Sequence, residues 1–121
     1  MGQGVLIKLS VDIKYSWKLV VGYYSWIGEN VWIDNLSPVK IGSHVCISQA
    51  ALLLTGNHNY KKITFDLIIG EIILEDGVWV GAHSFVCSKA ICHSHSILTV
   101  NSVATHDFQS HTIYQVILHY R

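Results

Sequence analysis

The stretch that decides the fold lies between residues 27 and 47. It holds two similar six-residue units, which read Ile27-Gly28-Glu29-Asn30-Val31-Trp32 and Ile41-Gly42-Ser43-His44-Val45-Cys46. Each unit is followed directly by another isoleucine, Ile33 or Ile47, so the aliphatic residues recur with a period of six. An α-helix with 3.6 residues per turn would rotate every sixth residue roughly 240° out of register. The pattern therefore excludes helix for this part of the chain.

The same period continues along most of the sequence, in three runs with twelve aliphatic or small positions. These positions are Val21, Ile27, Ile33, Ile41, Ile47, Leu53, Leu74, Val80, Val86, Cys92, Leu98 and Ala104. Four residues after most of them comes a second column of small or branched residues, which are Ser25, Val31, Ser37, Val45, Ala51, Val78, Ser84, Ala90, Ser96 and Ser102. A period of six suits a short strand followed by a corner, with the aliphatic side chain pointing inward. We predict an all-β solenoid of stacked parallel strands.

Two interruptions of the period define the organisation of one predicted domain over residues 1–121. The interval from Ile33 to Ile41 has two extra residues, which predicts a bulge around Leu36–Val39, and the long interval from Leu53 to Leu74 predicts an excursion loop over residues 57–72. We expect residues 1–20 to form a strand that enters the stack or a degenerate first coil. Residues 21–56 and 73–108 are expected to form hexapeptide coils, and residues 109–121 a shortened C-terminal tail.

Composition narrows the classes of partner. Half of the 121 residues are hydrophobic, and eight Lys and Arg residues balance eight Asp and Glu residues. Such an apolar chain is expected to fold, and it has no basic run that would bind nucleic acid or anionic lipid. Its apolar stretches are too short for a membrane-spanning helix or a secretion signal, so we expect a cytoplasmic protein. The three cysteines form no C-x-x-C pair and are expected to be buried thiols.

The repeats of the form Ile-Gly-x-x-Val-x resemble those of the hexapeptide-repeat acyltransferases. More narrowly, the chain resembles the maltose and galactoside O-acetyltransferase group, and most of all the colanic acid biosynthesis acetyltransferases. Three segments carry this resemblance, namely residues 25–35, Thr55-Gly56-Asn57-His58-Asn59-Tyr60 and Glu75-Asp76-Gly77-Val78-Trp79-Val80-Gly81-Ala82. It implies a left-handed parallel β-helix of triangular section that works as a homotrimer. It also implies an acetyl group donated by acetyl-CoA to a saccharide hydroxyl, without a metal.

The resemblance implies that His58 is the catalytic base. Acetyl transfer from a thioester needs a base for the hydroxyl proton and hydrogen-bond donors for the developing oxyanion. An imidazole has an ordinary pKa of about 6.5 and is therefore largely neutral at physiological pH. The alternative is a loop histidine that caps nearby backbone.

Further site residues are implied by the same resemblance. Asp34 and Asn35 would contact the acceptor sugar, although such residues are also common at corners. Trp79 would line the path of acetyl-CoA, or else pack in the core or a trimer contact. The backbone N–H groups of Gly81 and Ala82 would hold the thioester oxygen, and the rest of the cofactor would pass Val100, Thr105 and His106. We expect Trp26 and Trp32, at outward positions, to contact another subunit.

Differences from the family's pattern leave two alternatives open. Ser88-Lys89 stands where the family usually has Pro-Gly, and the usual basic tail is reduced to His119 and Arg121, although Arg and Lys are the residues that suit phosphate groups. One alternative is therefore a trimeric scaffold without activity. The other is a metal enzyme like the γ-type carbonic anhydrases, which would need three convergent histidines. The chain has eight histidines but no His-x-x-x-x-His pair beside the excursion.

Overall fold

The protein is a three-sided β-solenoid. The structure, a computed structural model, describes the backbone of residues 1–58, 67–105 and 107–115, and their side chains except at residues 57, 58 and 67–69. Parallel pairing joins all but two strands of the described part into three sheets, which stack as about five turns of a left-handed β-helix. The described part has one short 3-10 helix, Ser16–Lys18, and no helix long and apolar enough to cross a bilayer.

The three sheets form the three sides of the solenoid. Sheet A contains β1 (Leu6–Ile7), β4 (Trp26–Ile27), β7 (Cys46–Ile47), β12 (Trp79–Val80), β15 (Ile97–Leu98) and β17 (Ile113–Tyr114). Sheet B contains β2 (Asp12–Ile13), β5 (Trp32–Asp34), β8 (Leu52–Leu54), β13 (Phe85–Val86) and β16 (Val103–Ala104). Sheet C contains β3 (Leu19–Val21), β6 (Val39–Ile41), β11 (Ile72–Leu74) and β14 (Ile91–Cys92). Each coil visits the sheets in the order A, B, C.

The six-residue period is confirmed as the repeat of the core. All twelve positions of the predicted aliphatic column are at most 2% exposed, and Ile27, for example, lies in register with Ile47 and then with Val80 in the next coils. The second column is also buried, except for Ser37. Two of its serines donate hydrogen bonds along the stack, Ser25 to the carbonyl oxygen of Gly42 and Ser84 to that of Thr99. Only small or β-branched residues occur at these positions, where the chain turns close to the next coil.

The two extra residues before Ile41 lengthen a strand. Val39 and Ile41 are both buried at the two ends of β6, with Lys40 pointing outward between them. The same in-out-in pattern occurs in β3 and in β11. The predicted bulge around Leu36–Val39 is therefore wrong at Val39, because sheet C has room for a second inward side chain in each of these strands.

The excursion leaves the stack at the corner between sheets B and C. After β8 the chain forms β9 (Gly56–His58), which pairs antiparallel with β10 (Leu67–Ile69). The chain rejoins the solenoid at Ile72, the first residue of β11, so the predicted excursion over residues 57–72 extends one residue too far at its end. A hairpin thus projects from this one corner.

A left-handed backbone conformation recurs at the corners. In most hexapeptides the third residue after the inward aliphatic residue has a positive φ, as at Asn30 (59°), Ala50 (58°) and Gly77 (72°). Other residues at equivalent positions include His44, His83, His95, Asn101 and His111. Asparagine and histidine tolerate this conformation better than most residues do. The recurrence of asparagine and histidine at this position therefore marks the corners in the sequence, which the aliphatic period alone does not do.

Candidate functional site

The predicted base, His58, ends strand β9 at the corner between sheets B and C. Its backbone pairs with Leu67, two residues along the hairpin from the first pair, Gly56 with Ile69, while its side chain lies outside the described residues. The position of the strand follows from Thr55, whose N–H donates to the carbonyl oxygen of Asp34 at 3.1 Å and whose hydroxyl donates to the same oxygen at 3.0 Å. These two bonds anchor the segment from which His58 projects.

Asp34 lies at the same corner, one coil before the segment that carries His58. Its Cα pairs with that of Leu54 in the parallel ladder between β5 and β8. The carboxylate oxygen Oδ1 is buried and has no hydrogen-bond partner among the described residues, and Lys14 Nζ lies 3.7 Å from it. A buried carboxylate oxygen without a hydrogen-bond partner is unusual in a folded protein. The structure thus brings Asp34 and the backbone of His58 to one corner.

Asn35 has a structural role, which corrects its assignment to the acceptor. Its side chain is fully buried, with 0% exposure. The amide oxygen accepts a hydrogen bond from Tyr15 N at 2.8 Å, and the amide nitrogen donates to Tyr15 O at 2.6 Å. Both polar ends are therefore occupied by the preceding coil, and no part of the amide reaches solvent. In the sequence, a buried corner amide and a ligand contact cannot be told apart, because each is a polar residue that follows a strand.

Trp26 and Trp79 face a common cavity on the outer side of sheet A. Both indoles are about half exposed, and Cys46 lies between them in the register of β4, β7 and β12. The cavity has a volume of about 410 Å³ and is lined by Lys8, Trp26, Gly28, Glu29, Cys46, Ile47, Ser48, Gln49 and Trp79. Trp79 Nε1 donates a hydrogen bond of 2.9 Å to Ser48 Oγ, which fixes the indole over the adjacent coil.

This shared face was not predicted from the sequence, although a signal exists. In each hexapeptide the residue just before the inward aliphatic residue points outward, as Trp26, Cys46 and Trp79 do. Trp32 occupies the equivalent outward position in sheet B. Trp26 and Trp32 are six residues apart and therefore lie on different sides of the solenoid. Trp26 and Trp79 can be predicted to lie on the same side of the solenoid only if three hexapeptides are counted for each coil.

Gly81 and Ala82 lie where sheet A turns toward sheet B, and only one of their N–H groups is free for a ligand. Gly81 N donates to Leu98 O at 2.7 Å as part of the stack, so it cannot also hold a thioester oxygen as predicted. Ala82 N has no hydrogen-bond partner among the described residues, whereas its carbonyl accepts from Asn101 N at 3.0 Å. Of these two N–H groups, that of Ala82 is therefore the one left to donate a hydrogen bond to a ligand.

The other predicted cofactor contacts are distributed over two corners. Val100 is exposed and stands one coil beyond Ala82 at the same corner. Thr105 is exposed and follows β16, at the next corner of the same coil. His106 lies outside the described residues. The structure therefore aligns Ala82 with Val100 but does not bring Thr105 beside them.

The cysteines are poor nucleophiles. Cys92 belongs to the inward ladder, where burial, with a smaller contribution from Asp107, raises its pKa to about 12. Cys46 and Cys87 are only partly buried, unlike the prediction, and burial raises the pKa of each thiol as well. A thiol attacks as its thiolate, so these raised pKa values disfavour covalent catalysis.

Histidine pairs occur on the described surface without forming a metal site. His95 and His111 stack with ring centroids 5.0 Å apart, and His93 Nδ1 lies 3.2 Å from Glu75 Oε1. Within residues 1–58, 67–105 and 107–115, no group of three or more His, Cys, Asp or Glu side chains is arranged to hold a metal ion. The described part of the chain therefore offers no ligand set of the kind that a carbonic anhydrase needs.

Left-handed β-helices with this architecture are found among acetyltransferases of known structure. A hexapeptide-repeat acetyltransferase from Vibrio cholerae superposes with a TM-score of 0.89 over 95% of this chain and 67% of its own, at 22% identity. The same V. cholerae protein has been solved in complex with acetyl-CoA, with 64% of that chain covered. A maltose O-acetyltransferase from Clostridium difficile also has a TM-score of 0.89, over 95% of this chain and 63% of its own, at 15% identity. These similarities show the fold.

Sequence similarity supports the same relationship. The chain is 36% identical over 86 residues to WcaF of Escherichia coli, which its name describes as a colanic acid biosynthesis acetyltransferase. The aligned part is 71% of this chain and 47% of WcaF, so the chain spans about half the length of the curated relatives it matches. No family model matches the chain. The resemblance to hexapeptide-repeat acetyltransferases is thereby confirmed in fold and in sequence.

Proposed function

We propose that the chain is an acetyl-CoA-dependent O-acetyltransferase that acts on a saccharide hydroxyl. The observation that carries this proposal is the 36% identity to WcaF over 86 residues, together with the shared fold of solved acetyltransferases. The free N–H of Ala82 fits the proposal, because the thioester oxygen needs a backbone donor. The raised pKa of each cysteine also fits, since direct transfer to a hydroxyl requires no thiol nucleophile.

In the proposed reaction, acetyl-CoA supplies an activated acyl group as a thioester. The neutral imidazole of His58 takes the proton of the acceptor hydroxyl as the oxygen attacks the carbonyl carbon. The Ala82 N–H donates to the carbonyl oxygen while negative charge develops on it. The carbon–sulfur bond then breaks, the sulfur leaves with a proton returned by the imidazole, and the products are a saccharide acetate ester and the free thiol. Asp34, at the corner of His58, is the proposed polar contact for the acceptor.

The proposed site requires two copies of the chain. His58 projects at the corner between sheets B and C, whereas Ala82 lies at the corner between sheets A and B and Trp79 on sheet A. In a solenoid of triangular section, sheet A is the side opposite the corner of sheets B and C. A neighbouring copy brings its His58 to this face most simply in a closed ring, and the exposed Trp32 and Phe85 on sheet B offer apolar surface for contacts between copies. We therefore propose a homotrimer with shared sites.

Thiol release from acetyl-CoA, measured with galactose, glucose and maltose as acceptors, tests the activity. We expect turnover with at least one sugar, and a loss of roughly 10²-fold or more in kcat in His58→Ala, because the base is removed. His111→Asn is the matched control, since asparagine tolerates the φ of 55° at this exposed corner and the activity should stay unchanged.

Two results would contradict the proposal. Unchanged turnover in His58→Ala would show that His58 is not the catalytic base. If the wild-type protein neither released thiol nor bound acetyl-CoA by calorimetry, the chain would be a scaffold without activity and not an enzyme.

A further inference from the structure

We propose that the cavity on the outer face of sheet A is the acceptor subsite, in which one saccharide ring is held between the indoles of Trp26 and Trp79. This inference rests on the proposed function, since it names the place of that reaction's acceptor. The cavity of about 410 Å³ is of the size and kind that hold small ligands, because aromatic walls combine with a few polar groups.

The spacing of the two indoles suits a sugar ring. Trp26 and Trp79 belong to strands on either side of β7, and neighbouring strands lie about 4.8 Å apart, so their backbones are separated by roughly 10 Å. This separation leaves room for one ring between the two indoles. The Ser48 hydroxyl already holds the indole of Trp79, and Lys8 Nζ lies 5.5 Å from the ring centre of Trp26. The two walls are therefore oriented before a ligand arrives.

The edges of the cavity are polar, as a saccharide requires. Gln49 offers both an amide donor and an amide acceptor, Glu29 offers a carboxylate and Lys8 an ammonium group. A sugar ring presents apolar C–H faces and a rim of hydroxyls, so aromatic walls with a polar rim match it. A purely apolar ligand would leave the polar groups of the rim desolvated without hydrogen-bond partners.

The cavity also adjoins the proposed oxyanion donor. Backbone hydrogen bonds from Ala50 N to Glu29 O, from His83 N to Gln49 O and from Asn101 N to Ala82 O stack these corners in successive coils. Gln49 therefore stands one coil, or about 4.8 Å, before Ala82 in the same column. A carbonyl carbon held at Ala82 lies within reach of a hydroxyl on a ring seated beside Gln49. The cavity is thus the continuation of the proposed donor path.

Tryptophan fluorescence titrations with galactose, glucose and maltose test the subsite directly, without acetyl-CoA. We expect at least one sugar to bind the wild-type protein, and Trp26→Ala and Gln49→Ala each to weaken its Kd roughly three- to tenfold. Trp17→Ala is the matched control, because Trp17 is 75% exposed on the short 3-10 helix outside the cavity and its loss should leave the Kd unchanged. Size-exclusion chromatography of each variant checks that assembly is preserved.

The outcomes separate the subsite from the activity. A sugar that binds with a Kd sensitive to Trp26→Ala, but receives no acetyl group, would support the subsite and contradict the proposed function. A sugar that is acetylated with the same KM in wild type, Trp26→Ala and Gln49→Ala would support the function and overturn the subsite. Absence of binding by every sugar of the panel would also overturn the subsite.

Discussion

Asn35 and Tyr15 exchange two hydrogen bonds between successive coils, with the amide of Asn35 accepting from Tyr15 N at 2.8 Å and donating to Tyr15 O at 2.6 Å. This fully buried amide therefore joins the corner after β5 to the preceding coil. We expect Asn35→Ala to lower the free energy of unfolding by about 2 kcal/mol, because two backbone groups of Tyr15 lose their partner. Urea denaturation followed by circular dichroism measures the change.

The matched control for Asn35→Ala is Gln109→Ala, which removes an exposed amide near the last strand. Its free energy of unfolding should remain within about 0.5 kcal/mol of the wild type. If Asn35→Ala were equally stable but raised the KM for the sugar, Asn35 would be a ligand contact after all and its structural assignment would be incorrect.

Ala50 has a φ of 58°, a conformation that strains a residue with a Cβ atom. We expect Ala50→Gly to raise the free energy of unfolding by about 0.5 kcal/mol, because relief of the strain exceeds the entropy that glycine adds to the unfolded chain. The neighbouring Ala51 is buried without a positive φ, so Ala51→Gly should instead destabilise the protein by about 1 kcal/mol.

The reverse substitution, Gly77→Ala, should also destabilise the protein, since its φ is 72° and a new Cβ would meet the imidazole of His95 at 2.5 Å. Thermal unfolding of all three glycine and alanine variants measures these effects. Equal shifts in Ala50→Gly and Ala51→Gly would contradict the role of the corner conformation.

A feature of this structure can be predicted from the sequence when the residues that form it lie close together along the chain. The inward ladder is local, since Ile27 and Ile33 sit at a fixed spacing within one coil, so the solenoid and its core could be predicted. The cavity between Trp26 and Trp79 depends on residues two coils apart, with the excursion between them in the sequence, and no local period reveals it. Asn35 could not be assigned either, because a polar residue after a strand has the same pattern whether its side chain turns inward or outward.

The buried thiol of Cys92 predicts a stability that depends on pH. Burial raises the pKa of Cys92 from 9.0 to about 12, so the folded state favours the neutral thiol more strongly than the unfolded state does. This contribution to stability is fully present below pH 9.0 and is lost as the pH rises toward 12. We expect the urea midpoint of the wild type to fall more steeply at alkaline pH than that of Cys92→Ala. Cys87→Ala is the control and should change the slope less than Cys92→Ala does, since its thiol is less buried. Parallel slopes in wild type and Cys92→Ala would show that this thiol does not titrate on unfolding.

Mixed assemblies test whether one site is built from two chains. His58 and Trp79 lie on opposite sides of the solenoid, so in the proposed trimer each site combines His58 of one copy with Trp79 of its neighbour. We expect His58→Ala and Trp79→Ala each to be severely impaired alone, and an unfolded and refolded equimolar mixture to regain roughly a quarter of the wild-type kcat, because random assembly restores about one site in four.

The matched control is a refolded mixture of His58→Ala with the double variant His58→Ala and Trp79→Ala, in which no site can carry the base. Chromatography of the mixture confirms that mixed assemblies form. Mixed trimers that regain no activity would show that both residues act within a single chain, and full activity of Trp79→Ala alone would show that Trp79 has no part in the site.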